Sequence, residues 1–244
     1  MTLTKKFWKN KKILITGHTG FKGTWLILIL KYLGANVIGY SLKPQKKSLF
    51  NELYLKNEII NYYKNINDLK ILNKVLNNHK PHILFHLAAQ PLVIDSYKDP
   101  FNTFETNVLG TLNTIEALKN SSSIKSGVIV TTDKCYKNLN KKRKFIETDE
   151  LGGKDPYSWS KVCAEYITES YLNNFFNKKN IGLSTVRAGN VIGLGDYADN
   201  RIIKDITESF NLGKTIKLRD PKSVRPWQNV IDALIGYIIL AEKS

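Results

Sequence analysis

The chain has 244 residues, 42% of them hydrophobic, which suits one large domain, or a domain with a small appendage, around a real core. No stretch approaches the roughly 18 apolar residues of a membrane span, and two cysteines, Cys135 and Cys163, set no disulfide framework, so a reduced, cytoplasmic setting without membrane contact is expected. The formal net charge of +16 comes from 32 Lys against 5 Arg spread along the chain; a nucleic-acid reader would cluster arginine, so the lysines read as a solvated surface that also attracts anionic substrates.

The run Ile13-Leu14-Ile15 makes Lys11 to Thr16 a first strand, which ends in a glycine loop. Gly20 to Leu33 reads as a helix with Trp25, Leu26, Ile29, Leu30 and Leu33 on its apolar side. Gly34 closes it, and Asn36 to Leu42 is a second strand. Residues 43 to 64 read as irregular, and Asp68 to Asn78 as a helix. Pro81 separates that helix from a buried strand, His82 to Ala88. Phe101 to Lys119 is helical, and Gly127 to Thr132 is the next strand. The dense basic run Lys137 to Lys144 falls in a loop. Pro156 to Phe176 is a long helix, followed by a strand, Gly182 to Val186. A helix over Arg201 to Asn211, a strand over Thr215 to Leu218 and a helix over Asn229 to Lys243 complete the chain. Strands and helices alternating at this spacing predict an α/β fold, a doubly wound parallel Rossmann sheet. Residues after about 190 are less regular and are expected to form a second, smaller lobe.

Gly17, Gly20 and Gly23 stand three apart between a strand and a helix. Gly17 permits a tight turn, Gly20 a close backbone approach to a pyrophosphate, and Gly23 close helix packing. The helix N-terminus then offers unpaired N–H groups and a positive dipole to phosphates. The spacing is G-x-x-G-x-x-G, and no G-K-[ST] closes a P-loop. The second strand ends in Gly39-Tyr40-Ser41-Leu42-Lys43. No carboxylate stands there to favour NAD, and Lys43 could meet a 2′-phosphate, so these residues leave NAD and NADP open.

Tyr157 and Lys161 lie four apart on one helical face, behind Asp155 as N-cap and Pro156 at the first helical position. A neighbouring ammonium and the helix N-terminus are expected to lower the phenol pKa and make Tyr157 a base. Thr132, Asp133 and Lys134 sit at the carboxyl end of a strand, where open α/β sheets face their ligands. Hydride transfer alone needs less than this trio; an elimination needs an acid for the leaving hydroxyl and a base for the adjacent carbon proton. The histidines, His18, His79, His82 and His86, show no metal-ligand spacing, so no metal is expected, and His86 reads as a packed, hydrogen-bonded residue.

These motifs resemble the extended short-chain dehydrogenase/reductases, and within them the CDP-glucose subgroup of the sugar-nucleotide 4,6-dehydratases. The stretches that carry the resemblance are Gly17-His18-Thr19-Gly20-Phe21-Lys22-Gly23, His86-Leu87-Ala88-Ala89-Gln90-Pro91-Leu92-Val93 and Thr106-Asn107-Val108-Leu109-Gly110-Thr111. They continue with Thr131-Thr132-Asp133-Lys134-Cys135-Tyr136, Leu151-Gly152-Gly153-Lys154-Asp155-Pro156-Tyr157-Ser158, Arg187-Ala188-Gly189-Asn190-Val191-Ile192-Gly193 and Arg225-Pro226-Trp227-Gln228. Lysine after Asp133, where most sugar-nucleotide dehydratases carry glutamate, is what looks like the CDP-glucose subgroup.

The resemblance implies an enzyme that uses NAD on CDP-glucose, as a homodimer built through the helices Phe101 to Lys119 and Pro156 to Phe176. It implies catalytic roles for Thr132, Asp133, Lys134, Tyr157 and Lys161. It places Gly17, Thr19, Gly20, Phe21, Lys22, Gly23, Ser41, Asn65, Ile66, Leu87, Ala88, Ala89, Thr106, Tyr157 and Lys161 on the cofactor, and Gln90, Thr132, Asn190, Arg201 and Arg225 on the substrate. It divides the chain into a cofactor domain, 1–188, and an incomplete substrate lobe, 189–244. A 4-epimerase or reductase on the same scaffold, or a non-catalytic NAD-binding protein, stays open. Three departures stand out. Asn65 replaces a usual aspartate, Ile94-Asp95 follows Val93 where an arginine is usual, and the chain ends at Ser244 where the family continues. From that end, the apolar face of the helix Asn229 to Lys243 is expected to stay partly uncovered.

Overall fold

The computed structural model describes residues 3–138, 143–179, 181–216, 218 and 221–244. A short helix α1 (Lys5–Trp8) precedes β1 (Lys12–Thr16), α2 (Phe21–Tyr32) and β2 (Asn36–Ser41). Then come α3 (Leu49–Glu52), β3 (Ile60–Tyr63), α4 (Leu69–His79) and β4 (Ile83–His86). Helices α5 (Val93–Lys98), α6 (Pro100–Phe104) and α7 (Gly110–Asn120) follow, the last two joined by a π-helical turn, Glu105–Leu109. After β5 (Ser126–Val130), α8 (Pro156–Tyr171) and β6 (Gly182–Val186), the chain forms β7 (Asn190–Ile192), α9 (Ile202–Asn211), β8 (Trp227–Asn229) and α10 (Val230–Lys243).

Strands β1 to β6 form one parallel sheet in the order β3-β2-β1-β4-β5-β6. This is the doubly wound order, and its direction reverses between β1 and β4. The crevice outside the carboxyl ends of those two strands is therefore where a ligand is expected, and the glycine loop and Leu87-Ala88 lead out of it. Two apolar clusters hold the layers. One carries Ile13, Ile15, Leu26, Leu30, Phe85 and Val128; the other carries Leu14, Leu72, Leu76, Leu84, Ile115 and Ile129. Alternate residues of β1 face opposite clusters, as a strand covered on both sides requires.

Two sequence expectations change. Residues 43 to 64 are not wholly irregular: α3 and β3 lie there. Strand β3 is an edge strand with Ile60 exposed and Asn61, Tyr62 and Tyr63 half-buried, so it lacks the apolar run that marks the inner strands. No strand forms at Thr215, Ile216 or Leu218; Lys217 lies outside the described residues, as do residues 139–142 of the basic run. A two-stranded parallel sheet, β7 with β8, appears instead.

Helix α10 follows β8 directly. Its N-cap is Asn229, whose side chain accepts from the Ile231 N–H at 2.8 Å. The helix packs back onto α2 and the sheet, with Val230, Ala233, Leu234, Tyr237, Ile238 and Ala241 inside the first cluster. This explains why α2 is apolar nearly all round: both its sides are covered. On the apolar face expected to stay partly uncovered, Leu234 and Ile238 are buried, Ile235, Ile239 and Leu240 are half-buried and Ile231 is exposed, so part of it stays open. Leu234→Ala should lower the unfolding free energy by about 2–5 kcal/mol in urea titration. A loss under about 1 kcal/mol would mean that α10 does not belong to the core.

Candidate active site

The glycine loop is built by its backbone. Gly17 has φ +74°, and a Cβ there would lie 2.6 Å from the Ala88 nitrogen, so β1 and β4 can only leave the sheet this closely through glycine. A Cβ on Gly23 would overlap the Gly17 carbonyl, which is how α2 approaches the strand end. A Cβ on Gly20 would meet only the Gly17 carbonyl, at 3.4 Å, and its other side is open. Gly20 is also the N-cap of α2, and no side chain caps the helix. An uncapped helix start beside a bare backbone at the switch point fits a dinucleotide pyrophosphate.

Around this cradle the expected cofactor residues separate. Thr19 and Ser41 meet through their hydroxyls at 2.8 Å, and Thr19 also donates to the Leu42 carbonyl at 3.1 Å. Asn65 offers its carbonyl to the Tyr40 hydroxyl at 3.0 Å. Ile66 is buried in the second core cluster and packs against Gly110, so its side chain serves the core. Ala88 donates its N–H to Thr16 Oγ1 at 3.3 Å. Thr106 lies half-buried on the π-helical turn, with its hydroxyl on Asn102 at 3.4 Å. His18 turns away from the crevice, onto Asn61 at 2.9 Å, and burial lowers its pKa to about 4. His86 is fully buried between Thr16, Thr111 and Thr114, and burial keeps it neutral with a pKa near 3.

Tyr157, Thr132, Asp133 and Lys134 converge at the carboxyl end of β5. Asp155 caps α8 by accepting the Ser158 N–H at 2.8 Å, and Pro156 opens the helix. That start places Tyr157 beside Thr132, whose side chain favours the ionised phenol. Lys161 is buried one turn on and donates to the Val130 carbonyl at 3.0 Å. Thr132 donates to Asp133 Oδ1 at 3.3 Å and accepts from the Lys134 N–H at 3.3 Å.

The electrostatics correct one expectation. The Tyr157 phenol is not lowered: burial pushes it up to about 12, and the neighbouring Thr132 side chain opposes the rise only in part. The Lys161 ammonium rests on a backbone carbonyl, and burial lowers its own pKa to about 8. At neutral pH this Tyr157 is a phenol. Burial also raises Asp133, while the nearby Lys134 ammonium opposes the rise. Burial lowers Lys134, with Asp133 opposing. Both neighbours are thus moved toward their uncharged forms, a protonated carboxyl and a free amine.

The expected substrate residues lie on a second wall. Asn190 donates its backbone N–H to the Pro226 carbonyl at 3.0 Å, which fixes β7 on the segment before β8. Arg201 pairs with Asp196 at 3.4 Å. Arg225 is exposed and lies within electrostatic reach of Asp133 and Lys134. Gln90 differs from the expectation: its side-chain amide donates to the Leu92 carbonyl at 3.0 Å and to Thr103 Oγ1 at 2.9 Å. It shapes its own loop.

Sequence reasoning gave no role to three groups that hold this arrangement. Asn107, on the π-helical turn, accepts the Gln90 N–H at 2.8 Å and donates to Ser160 Oγ at 2.8 Å, tying the β4 loop to α8. Glu165 is buried and accepts from Thr131, from Thr185 at 2.8 Å and from Arg187 at 2.8 Å. Arg187 in turn lies 4.9 Å above the Tyr136 ring. Tyr237 reaches the site from α10 and receives Lys22 Nζ at 3.5 Å. A charged residue one turn beyond Lys161 was the one available signal for Glu165; the others are contacts between distant segments.

With this geometry in place, the comparison with known proteins is direct. The family model for GDP-mannose 4,6 dehydratase matches residues 14–243. The chain belongs to that family. A CDP-glucose 4,6-dehydratase of Salmonella typhimurium is 44% identical over 99% of this chain and 69% of its own length. A dTDP-D-glucose 4,6-dehydratase of Dictyostelium discoideum is 30% identical over 96% of this chain and 56% of its own length. Among solved structures, a Bacillus anthracis dTDP-glucose 4,6-dehydratase in complex with NAD superposes with a TM-score of 0.82, at 25% identity, over 96% of this chain and 72% of that one. No helix among the described residues is long and apolar enough to cross a membrane, and no group of metal-ligating side chains is found among them.

Proposed function

We propose that this chain is an NAD-dependent hydro-lyase that converts CDP-glucose to the 4-keto-6-deoxy sugar nucleotide. The observation that carries the reading is the convergence of Asp133 and Lys134 with Thr132 at the carboxyl end of β5, beside Tyr157. The identity to the Salmonella CDP-glucose enzyme supports the base and the sugar. The glycine cradle and its uncapped helix support NAD, with Gly17, Gly20, Phe21, Lys22 and Gly23 at the pyrophosphate and Thr19 and Ser41 toward the adenosine ribose.

The chemistry NAD supplies when bound is hydride storage: one hydride is taken from sugar C4 and later given to C6. Thr132 holds the C4 hydroxyl and Tyr157 takes its proton. With its phenol near 12, the resting Tyr157 already carries a proton, so it accepts the C4 proton as the phenolate formed once the phenol has released its own proton to solvent. Lys134 as the free amine takes the C5 proton, made acidic by the C4 ketone. Asp133 as the protonated carboxyl donates to the leaving C6 hydroxyl, and water departs. The net change is the loss of one water. Residues 1–188 provide the cofactor side. Within 189–244, Asn190, Arg201 and Arg225 provide the substrate side, while α10 braces the cofactor domain.

We also assign a homodimer. Phe101 and Tyr166 are 77% and 53% exposed, and Phe104, Leu109, Trp159 and Phe175 add to a broad apolar surface on the α6–α7 and α8 segments. Light scattering at micromolar concentration should give twice the chain mass; a strictly monomeric species would remove this assignment.

Incubation with NAD and CDP-, UDP- or dTDP-glucose in deuterium oxide tests the main reading. A 4-keto product from CDP-glucose with deuterium at C5 is expected. A 4-epimer without deuterium at C5 would make the chain an epimerase. Asp133→Asn should slow the elimination more than the oxidation. Quenching into borodeuteride should then trap a 4-keto sugar that retains its C6 oxygen. Equal slowing of both steps would reduce Asp133 to a positioning role.

A further inference from the structure

The last helix enters the site through one side chain. Tyr237 is buried on α10, and its hydroxyl lies 3.5 Å from Lys22 Nζ, which also stands 5.9 Å from the ring centroid. Lys22 belongs to the first turn of α2, directly behind the glycine cradle. Four ionisable groups from other segments lie within electrostatic reach of its ammonium. Asp133 faces it from the end of β5, Lys161 from α8, and Asp196 and Arg201 from the segment before α9. The Tyr157 phenol is within electrostatic reach of Tyr237 itself. A flexible four-carbon stem in such surroundings has two carboxylates, Asp133 and Asp196, to turn toward, and the Tyr237 hydroxyl is the neutral acceptor that keeps it central.

We propose that Tyr237 is a positioning residue: its hydroxyl holds the Lys22 ammonium between the glycine loop and the Tyr157–Lys161 pair, so that α10 forms part of the site. The proposal deepens the functional reading above and rests on it only for what Lys22 then contacts. A hydroxyl that accepts from an ammonium favours the charged form. Its removal must therefore lower the Lys22 pKa, which burial already brings to about 8.

The experiment uses the full chain labelled with [ε-13C]lysine. The Lys22 signal is assigned by its loss in Lys22→Arg and followed by NMR from pH 6 to 10. Tyr237→Phe should lower the Lys22 midpoint by about one pH unit, while the Lys161 signal, held on the Val130 carbonyl, should not follow it. A Lys22 midpoint that stays in place overturns the proposal. Calorimetry with NAD at two pH values adds a readout that packing damage would not produce. The native and Tyr237→Phe chains should bind NAD alike at pH 6, and the variant about eightfold more weakly at pH 8.5. A shifted midpoint with unchanged NAD affinity upholds the positioning and overturns only the assignment of Lys22 to the cofactor. Should Tyr237→Phe not fold, Lys22→Met with [ζ-13C]tyrosine labelling replaces it: the Tyr237 signal must then move from its native position, and a static signal overturns the proposal.

Discussion

Lys161 is a buried cation whose ammonium rests on the carbonyl of Val130, and the geometry of the site depends on that bond. A buried ammonium must be satisfied, and the partner it takes here is the last residue of β5. The bond therefore fixes the first turns of α8 against the carboxyl end of that strand. Tyr157 is then set on Thr132, and the turn Asp133-Lys134 opens into the crevice. Glu165 repeats the arrangement one turn later: it is buried and gathers Thr131, Thr185 and Arg187 from the ends of β5 and β6. Polar groups inside the protein are costly unless paired, so each pairing here also defines a position.

That constraint gives the chemistry its character. The same burial that orders the site moves four of its ionisable groups toward their neutral forms. Tyr157 becomes a weaker acid, Asp133 a carboxyl that keeps its proton longer, and Lys134 and Lys161 amines that lose theirs sooner. Oxidation and elimination then draw on different neighbours within one turn of chain. On the proposed mechanism, Thr132 and Tyr157 would serve the hydroxyl to be oxidised, and Asp133 and Lys134 the water to be lost. An environment that separates acid from base in this way is what a dehydration at neutral pH requires.

Much of this was legible in the sequence because it is local. The three glycines state their spacing directly, the cap Asp155-Pro156 announces α8, and Tyr157 and Lys161 share a face at i,i+4. Strand β3 was not legible, because an edge strand with one exposed and three half-buried residues lacks an apolar run. Gln90 looked like a ligand because of its motif, yet its amide closes its own loop. The direction of the Tyr157 shift is not legible in the sequence, because spacing shows which charges are neighbours but not how much water is removed from around them. Tyr237 lies 215 positions from Lys22, and no periodicity along the chain connects two residues so far apart.

The central claim is that Tyr157 carries the proton of the first step while the surrounding site binds the cofactor without it. Tyr157→Phe keeps the ring and removes only the hydroxyl. NAD affinity, measured by calorimetry, should stay within about twofold of the native chain, and turnover of CDP-glucose should fall by about a thousandfold. A variant that retains more than about a tenth of the native rate would contradict the assignment.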